Sequence, residues 1–185
     1  MAENGALMKG KRGLVMGVAN DHSIAWGIAR TLKAQGAELA FTYQGEAQAK
    51  RLRRLINGNS TLMLPGDVEK DDELDAAFAA LKKEWGGIDF LVHAIAFSDK
   101  NELTGRYVDT SRANFARSLD ISCFSFTAVA QRASHLMTPP AKGGTGGSLI
   151  TLSYLGANRV MPNYNVMGVA KAALGRQGGN RGLPA

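Results

Sequence analysis

The residues best suited to chemistry lie near the C-terminal end of the chain, where Tyr164 and Lys171 stand seven positions apart. Pro162 can begin a helix, so the stretch from Asn163 to Leu174 is predicted to be helical. Seven residues turn a helix by about 700°, which places Tyr164 and Lys171 on one face, about 10 Å apart along the axis. A phenol and an ammonium that face a nicotinamide can polarise a carbonyl during hydride transfer, and the ammonium can stabilise an oxyanion and hold ribose hydroxyls.

A glycine-bearing turn near the N-terminus could hold a phosphate-containing cofactor. Gly17 follows the first predicted strand, and the turn leads through Ser23 to Gly27 in the first predicted helix. Glycine lets the backbone approach a pyrophosphate, whose charge then faces the positive end of the helix. The spacing is not G-x-G-x-x-G, and a plain strand-to-helix turn is the alternative. Ser23 either donates its hydroxyl to a phosphate or caps the helix, and Gly27 is expected to allow close packing of helix on sheet.

The corner after the second predicted strand bears on the choice of nicotinamide cofactor. A dinucleotide fold usually carries there an acidic residue for the ribose, or an arginine for a 2′-phosphate. Here Gln44 follows Phe41-Thr42-Tyr43, and a glutamine can hydrogen-bond ribose or adenine groups but offers no charge to a phosphate. This favours NADH. Asp67 and Val68 follow the third predicted strand, where an adenine ring would lie; a turn-forming aspartate is the alternative.

Short apolar runs alternate with amphipathic stretches along the chain, which is typical of a parallel sheet wrapped by helices. The predicted strands are Arg12 to Gly17, Ala37 to Thr42, Thr61 to Leu64, Ile88 to Val92 and Ser148 to Ser153. The further predicted helices are Ile24 to Gln35, Glu46 to Asn57, Asp71 to Trp85 and Ser111 to Met137. We therefore predict an α/β protein with a Rossmann-type, doubly wound parallel sheet in a single domain.

Length and composition indicate a globular protein. The 185 residues are 45% hydrophobic and 21% charged. No run approaches the ~20 apolar residues that span a bilayer, and the N-terminus lacks the apolar core of an export signal. We therefore expect a cytoplasmic protein with no membrane partner. The single cysteine, Cys123, cannot form an internal disulfide, and its apolar and aromatic neighbours favour a buried structural thiol over a nucleophile.

The net charge of +6 comes partly from a basic cluster at residues 50–54, most simply the solvated face of a helix. No aromatic stacking residues accompany these cations, so we expect no nucleic acid partner, whereas an acidic protein partner is compatible with the charge. His22, His93 and His135 lack the spacing of metal ligands, so we expect no metal site. His93 ends a predicted buried strand and is expected to be a core histidine.

Together, these segments resemble one branch of the short-chain dehydrogenase/reductase family. Ordinary members place Tyr and Lys four apart, and none of the four tyrosines here has a lysine at that spacing. Tyr154, Tyr164 and Lys171, at steps of ten and seven, resemble the divergent branch formed by the enoyl-acyl-carrier-protein reductases. Further similar segments are Gly17-x5-Ser23-Ile24-x2-Gly27, Phe41-Thr-Tyr-Gln44, His93-Ala-Ile-Ala-Phe97 and Asp120-Ile-Ser122. The likeness covers residues 8 to 174 and is greatest to alphaproteobacterial members.

The resemblance implies an NADH-dependent enoyl-acyl-carrier-protein reductase of bacterial fatty acid synthesis, with hydride going to the β-carbon of a trans-2-enoyl thioester. Tyr164 would hydrogen-bond the thioester oxygen, and with Lys171 it would stabilise the enolate. Tyr154 would be the second catalytic tyrosine, unless it is a packing aromatic after the strand. Ser98 would approach the acyl substrate. The implied cofactor residues are Gly17, Val18, Ala19, Ser23 and Ile24 for pyrophosphate and ribose, Gln44 for the adenosine side, Asp67 and Val68 for adenine, Ile95 for the nicotinamide half and Lys171 for its ribose.

The resemblance also implies partners, and parts that this sequence lacks. Family members act on an enoyl thioester carried by an acidic acyl carrier protein and form homo-oligomers, with a tetramer expected. A full-length member continues with further strands and a substrate-binding loop, so residues 1–174 are expected to form an incomplete, C-terminally truncated reductase domain. Four of the last eleven residues are glycine, and 175–185 is predicted to be a disordered tail outside the family pattern. A frameshift after Leu174 is our hypothesis for the change.

Three interpretations are open. The first is an enoyl reductase that is poorly stable and nearly inactive, because without a sixth strand the fifth becomes an exposed sheet edge. The second is a non-catalytic remnant that at most binds nucleotide or a full-length subunit. The third is another short-chain reductase, acting for example on ketones, against which the Tyr-x6-Lys spacing argues.

Overall fold

The computed structural model describes residues 5–56, 61–137, 144 and 146–177. They form two compact units. The first unit comprises the described residues of Met1–Ala94 and Arg132–Ile150, and the second those of Ile95–Gln131 and Thr151–Ala185. The chain passes from one unit to the other just after a buried strand, within a helix and near the end of the last strand.

A five-stranded sheet forms the centre of the first unit. Its strands are β1 (Arg12–Met16), β2 (Glu38–Tyr43), β3 (Leu62–Pro65), β4 (Phe90–His93) and β5 (Ser148–Thr151). They follow the order β3-β2-β1-β4-β5, with β1 parallel to β2 and β4, and β2 parallel to β3. This arrangement confirms the predicted doubly wound parallel fold. The strand order reverses between β1 and β4, and ligands of such sheets bind at the carboxyl ends beside that reversal.

Three helices connect the first four strands: α1 (Ile24–Ala34), α2 (Gly45–Leu55) and α3 (Asp71–Trp85). α3 has the bounds predicted from its apolar stripe, and Leu74, Phe78 and Leu81 of that stripe are buried. Three acidic residues occupy its first turn, where they meet the positive end of the helix. Gly86 then ends α3 in a left-handed conformation that glycine adopts without strain.

One face of the sheet packs against α1 and α2. Val15 and Val92 of the strands share a buried cluster with Ala25 and Ala29 of α1, and these small side chains let the helix lie close to the strands. Met16, next to Val15, points to the opposite face and is also fully buried. β1 is therefore covered on both faces, as expected for a central strand of a parallel sheet.

In the second unit the helix predicted from Ser111 to Met137 is broken. α4 (Arg112–Leu119) leads into a π-helical turn (Asp120–Phe124), and α5 (Ser125–Ser134) follows. At the centre of the turn, Ser122 is fully buried, and its hydroxyl bonds both the N–H and the carbonyl of Phe97 at 2.9 Å. The widened turn thus accompanies a long-range contact, which the periodicity of the helix cannot reveal.

The helix that carries Lys171, α6 (Asn165–Gln177), begins later than predicted. Asn163 has a left-handed φ of 58°, so the helix cannot start at Pro162. The carbonyl of Tyr164 accepts the first helical hydrogen bond, from the N–H of Gly168 at 2.8 Å. Tyr164 therefore sits at the N-cap position of α6 rather than within it.

α6 also ends later than predicted. Gly175, Arg176 and Gln177 form its last turn, so these three residues do not belong to the predicted disordered tail; residues 178–185 lie outside the described residues. The side-chain amide of Gln177 donates to the carbonyl of Cys123 at 3.2 Å and accepts from the hydroxyl of Thr127 at 3.1 Å, which fixes this turn despite the glycine. Cys123 is buried as predicted, and burial raises the pKa of its thiol.

The described residues also bear on the predicted core and surface. No helix among those residues is long and apolar enough to cross a membrane, and no three metal-ligating side chains are grouped together there. His93 is fully buried in β4, which confirms its place in the core. The cations at positions 50–54 are exposed on α2 while Leu52 between them is buried, as predicted for a solvated helix face.

Gly17→Ala is expected to destabilise the first unit far more than Gly10→Ala. Both glycines have a left-handed φ, of 90° and 77°, but only a Cβ on Gly17 would collide, at 2.0 Å from the carbonyl oxygen of Ala94. Gly10→Ala should lower the free energy of unfolding by about 1 kcal/mol through backbone strain, and Gly17→Ala by about 3 kcal/mol because the backbone must also move. Urea unfolding followed by circular dichroism measures both; equal losses would contradict the close approach.

Candidate active site

The loop after β1 is shaped by the close contact between Gly17 and Ala94. Gly17 follows β1 directly and has a φ of 90°, and the space where a Cβ would stand is taken by the carbonyl of Ala94, which follows β4. Two chain segments therefore meet backbone to backbone at the reversal of the strand order. Beyond this contact Val18 is buried and Ala19 is exposed. The loop can present backbone N–H groups to a ligand without a side chain in between.

Ser23 ends this loop as the N-cap of α1. Its hydroxyl donates to the carbonyl of Asn20 at 2.7 Å and accepts from the N–H of Trp26 at 3.4 Å, so the capping alternative for Ser23 is present in the structure. Ile24 is two-thirds exposed on the first turn. Because the first N–H groups of a helix lack intrahelical acceptors, the loop and helix start together form a place for an anion.

Gly27 does not have the predicted role. The prediction was that its lack of a side chain allows α1 to pack closely on the sheet. In the structure Gly27 is exposed, and a Cβ placed on it meets nothing within 4 Å. The close packing of α1 is instead provided by Ala25 and Ala29, which lie on the opposite, buried side of the helix.

At the carboxyl ends of β2 and β3 lie the residues predicted for adenosine and adenine. Gln44 is exposed at the N-cap of α2, and its side chain makes no capping bond. Asp67 and Val68 are half-buried. The Asp67 carboxylate accepts from the N–H of Glu69 at 3.1 Å, so it is a turn former as the alternative held, and its own N–H donates to Glu73 at 3.0 Å.

In the second unit, Lys171 lies almost wholly out of solvent. Its side chain is in α6, the residue is 5% exposed, and the ammonium donates to the carbonyl of Leu152 at 2.8 Å. Burial lowers the pKa of Lys171, because the charged form loses its hydration. An ammonium has three N–H groups, and Leu152 takes one of them. The bond fixes the amine at Leu152, the residue that follows β5. The other N–H groups of the ammonium can donate to further acceptors.

The two tyrosines of the sequence motif are in contact. Their ring centroids are 4.8 Å apart in an edge-to-face arrangement, which aromatic pairs favour. Gly156 lies between them and α6: a Cβ on it would stand 2.4 Å from the ring of Tyr164. Tyr154 is about half exposed and Tyr164 is half-buried. Burial, and then the neighbouring Tyr154, raise the pKa of Tyr164, which keeps its phenol a hydrogen-bond donor.

Ser98, predicted to approach the substrate, belongs to a polar cluster along α4. Its hydroxyl lies 3.0 Å from that of Ser118 and 3.3 Å from the side-chain oxygen of Asn114. Both partners are buried, and Asn114 also bonds Glu102 at 3.2 Å. Ile95, predicted for the nicotinamide half, is half-buried on the same segment, two residues after β4. The cluster thus holds the segment on which both predicted contacts lie.

Several residues that shape the site were not found from the sequence. Ser122 anchors Phe97, Asn114 holds Ser98, and Glu73 holds the backbone of Asp67. Gln48 contacts two of the predicted cofactor segments. Ser122, Asn114 and Gln48 make long-range contacts. Only Glu73 had a local signal, since an acidic residue in the first turn of a helix can reach back to the preceding backbone.

The chain is similar to known proteins over most of its length. Residues 17–177 match the family model described as Enoyl-(Acyl carrier protein) reductase. The chain is 63% identical over 169 residues to the NADH-dependent enoyl-acyl-carrier-protein reductase 2 of Rhizobium meliloti (strain 1021), a match that covers 91% of this chain. It spans 61% of the length of that relative.

Solved structures give the same result. The crystal structure of the Anaplasma phagocytophilum enoyl-acyl-carrier-protein reductase in complex with NAD is 53% identical, with a TM-score of 0.89, over 96% of this chain and 66% of that one. The Bacillus cereus enzyme with NADP+ and indole naphthyridinone is 49% identical, with a TM-score of 0.87, over 92% of this chain and 65% of that one. The resemblance inferred from the motifs is thereby confirmed: the chain belongs to the enoyl-(acyl carrier protein) reductase family.

Proposed function

We propose that this chain acts as an NADH-dependent enoyl-acyl-carrier-protein reductase of bacterial fatty acid synthesis. The observation that carries the proposal is the arrangement in the second unit: a buried lysine on α6 and, at the start of the same helix, a half-buried tyrosine against a second tyrosine. This is the Tyr-x6-Lys spacing of the family. The relatives that match over 91% and 96% of the chain are named for this activity or solved with NAD.

The residues of the first unit fit the ADP half of a dinucleotide. Gly17 lets the backbone turn without a side chain, and the loop ends on the N-terminus of α1, which favours a pyrophosphate. Gln44 is exposed and uncharged, so it can bond ribose hydroxyls but cannot neutralise a 2′-phosphate. Backbone contacts of Val18, Ala19, Ser23 and Ile24, and the turn at Asp67 and Val68, complete the proposed cofactor contacts of this unit. Ile95, which belongs to the second unit, is proposed for the nicotinamide half.

NADH supplies a hydride for the β-carbon of a trans-2-enoyl thioester. As the carbon–carbon double bond is reduced, its electrons move towards the thioester oxygen, and a proton then adds at the α-carbon. The Tyr164 phenol donates a hydrogen bond to that oxygen, and its raised pKa keeps it protonated for this role. The negative charge on the oxygen favours the ammonium form of Lys171, which also holds ribose hydroxyls.

The remaining members of the site act on the substrate side. Tyr154, in contact with Tyr164, orients that ring and faces the substrate with its exposed half. Ser98 lies on the segment fixed by Asn114 and Ser118 and approaches the acyl group. The net charge of +6 suits an acidic acyl carrier protein as the donor of the thioester. We further propose a cytoplasmic, homo-oligomeric protein, with a tetramer as the expected assembly.

The first test is whether the purified 185-residue chain binds NADH. We expect a saturable rise in nicotinamide fluorescence and a weaker affinity for NADPH. Turnover is then followed with an enoyl thioester on acyl carrier protein and with a ketone at the same concentration. Binding without enoyl reduction would support a non-catalytic nucleotide-binding chain, and reduction of the ketone alone would support an ordinary short-chain reductase.

Gln44→Arg should shift the cofactor preference towards NADPH. A guanidinium at this position can pair with the 2′-phosphate, which should improve NADPH affinity about tenfold, the value of one charge-assisted hydrogen bond. Ala47→Arg adds the same charge to an exposed position of α2 and serves as the control. An equal gain in both variants would show that general attraction, rather than position 44, sets the preference.

Tyr164→Phe and Lys171→Met, made in a chain extended with the C-terminal region of its relatives, should affect different steps. Removing the phenol should lower enoyl turnover about 100-fold, as for loss of one donor to a developing oxyanion, with NADH affinity unchanged within twofold. Lys171→Met keeps most of the side-chain volume but loses the ammonium, so NADH affinity should fall about tenfold. Tyr107→Phe, a change at a half-exposed tyrosine outside the proposed site, is the control. Loss of NADH affinity in Tyr164→Phe but not in Lys171→Met would reverse the assigned roles.

A further inference from the structure

The side-chain amide of Gln48 contacts two loops of the first unit. Gln48 is half-buried in the second turn of α2. Its carbonyl oxygen accepts from the backbone N–H of Gln44, at the end of β2, and its nitrogen donates to the backbone carbonyl of Val18, after β1, at 3.3 Å. We call this arrangement the Gln48 bridge.

The bridge joins the two segments that the proposed function assigns to the ADP half of the cofactor. Val18 belongs to the loop that follows Gly17, and Gln44 to the turn that would face the adenosine. Val18 is 1% exposed, so a carbonyl in these surroundings would be costly to leave without a partner. An amide suits this place because it carries a donor and an acceptor side by side.

A helix cap alone does not account for these contacts. A glutamate or glutamine near the start of a helix commonly reaches back to the N-cap N–H, and for that purpose an acceptor is sufficient. Gln48 makes this bond with its side-chain oxygen. Its side-chain nitrogen donates to the carbonyl of Val18, which is 30 residues away in the sequence. The side chain of Gln44 makes no capping bond, so its direction depends on the backbone that Gln48 holds.

We propose that Gln48 is a positioning residue for the dinucleotide, because its bridge fixes the separation between the pyrophosphate loop and the adenosine turn. The inference rests on the proposed function. Loss of the bridge should therefore weaken binding of the ADP half of the cofactor and leave binding of the nicotinamide half unchanged. The bridge acts through the backbone of Val18 and Gln44, so no direct contact of Gln48 with the nucleotide is required.

Two substitutions separate positioning from capping. Gln48→Met removes both bonds, whereas Gln48→Glu keeps the acceptor for the Gln44 N–H but replaces the donor to Val18 with a negatively charged oxygen. If Gln48 serves only as a cap, Gln48→Glu should bind nucleotide as the wild type does, since a carboxylate near a helix N-terminus is favourable. If it positions the loops, both variants should lose about tenfold in affinity for NADH and for ADP, the effect of one lost hydrogen bond with a buried partner.

The experiment compares wild type, Gln48→Met, Gln48→Glu and Ala47→Glu by calorimetric titration with NADH, ADP and nicotinamide mononucleotide. Ala47→Glu adds the same charge at the adjacent exposed position and should stay within twofold of wild type. Gln48→Glu should melt below the wild type, because its cap is intact but the Val18 carbonyl loses its donor. Titration well below that melting temperature keeps this variant informative if Gln48→Met folds poorly.

The inference is supported if both Gln48 variants lose affinity for NADH and ADP while affinity for nicotinamide mononucleotide stays constant. It is overturned if Gln48→Glu binds ADP as tightly as the wild type, or if Ala47→Glu loses as much affinity as Gln48→Glu. If the wild type binds NADH and the Gln48 variants bind it equally well, the proposed function stands and only the positioning role is removed. A wild-type chain that binds neither NADH nor ADP would instead overturn the proposed function, and this inference with it.

Discussion

At the carboxyl end of β1 the backbone turns through a left-handed φ of 90° with the carbonyl of Ala94 in the place of a side chain. This contact couples the ends of the two central strands where the strand order reverses, and it allows only glycine. The loop that follows leads to the start of α1, and its Val18 carbonyl is bound by Gln48. The proposed anion site is therefore made by a backbone constraint, with side chains serving mainly to hold the backbone in place.

The chemistry of the second unit depends on burial. Lys171 is almost wholly buried and Tyr164 is half-buried, and in each case burial disfavours the charged form, which lowers the pKa of the amine and raises that of the phenol. The neutral phenol is the form that donates to an oxygen, and the amine gains its charge most readily where negative charge develops. Among the described residues, the Leu152 carbonyl holds Lys171, and Gly156 and Tyr154 pack against the ring of Tyr164.

Local patterns predicted the parts of the fold that local forces decide. The apolar stripe of α3 predicted its bounds, the alternation of strands and helices predicted the parallel sheet, and the motif spacing predicted the family. Tertiary contacts decided the rest. The break at Asp120–Phe124 accompanies the bond of Ser122 to Phe97, the exposed position of Gly27 depends on which side of α1 meets the sheet, and the role of Gln48 depends on a carbonyl 30 residues away. None of these leaves a periodic signal in the sequence. The roles of the individual site residues remain predictions.

The hydrogen bond between Lys171 and the Leu152 carbonyl has a consequence for the side reactions open to this lysine. A thioester is an activated acyl donor, and an amine with a lowered pKa is a better nucleophile at neutral pH than an ordinary lysine. A mobile Lys171 beside such a substrate would be at risk of self-acylation, which would form an amide and release the carrier thiol. The residue is 5% exposed and its nitrogen is held 2.8 Å from a backbone carbonyl, which restricts its approach to an acyl carbon. Under the proposed function, the burial that lowers the pKa of this lysine would also limit its acylation by the thioester.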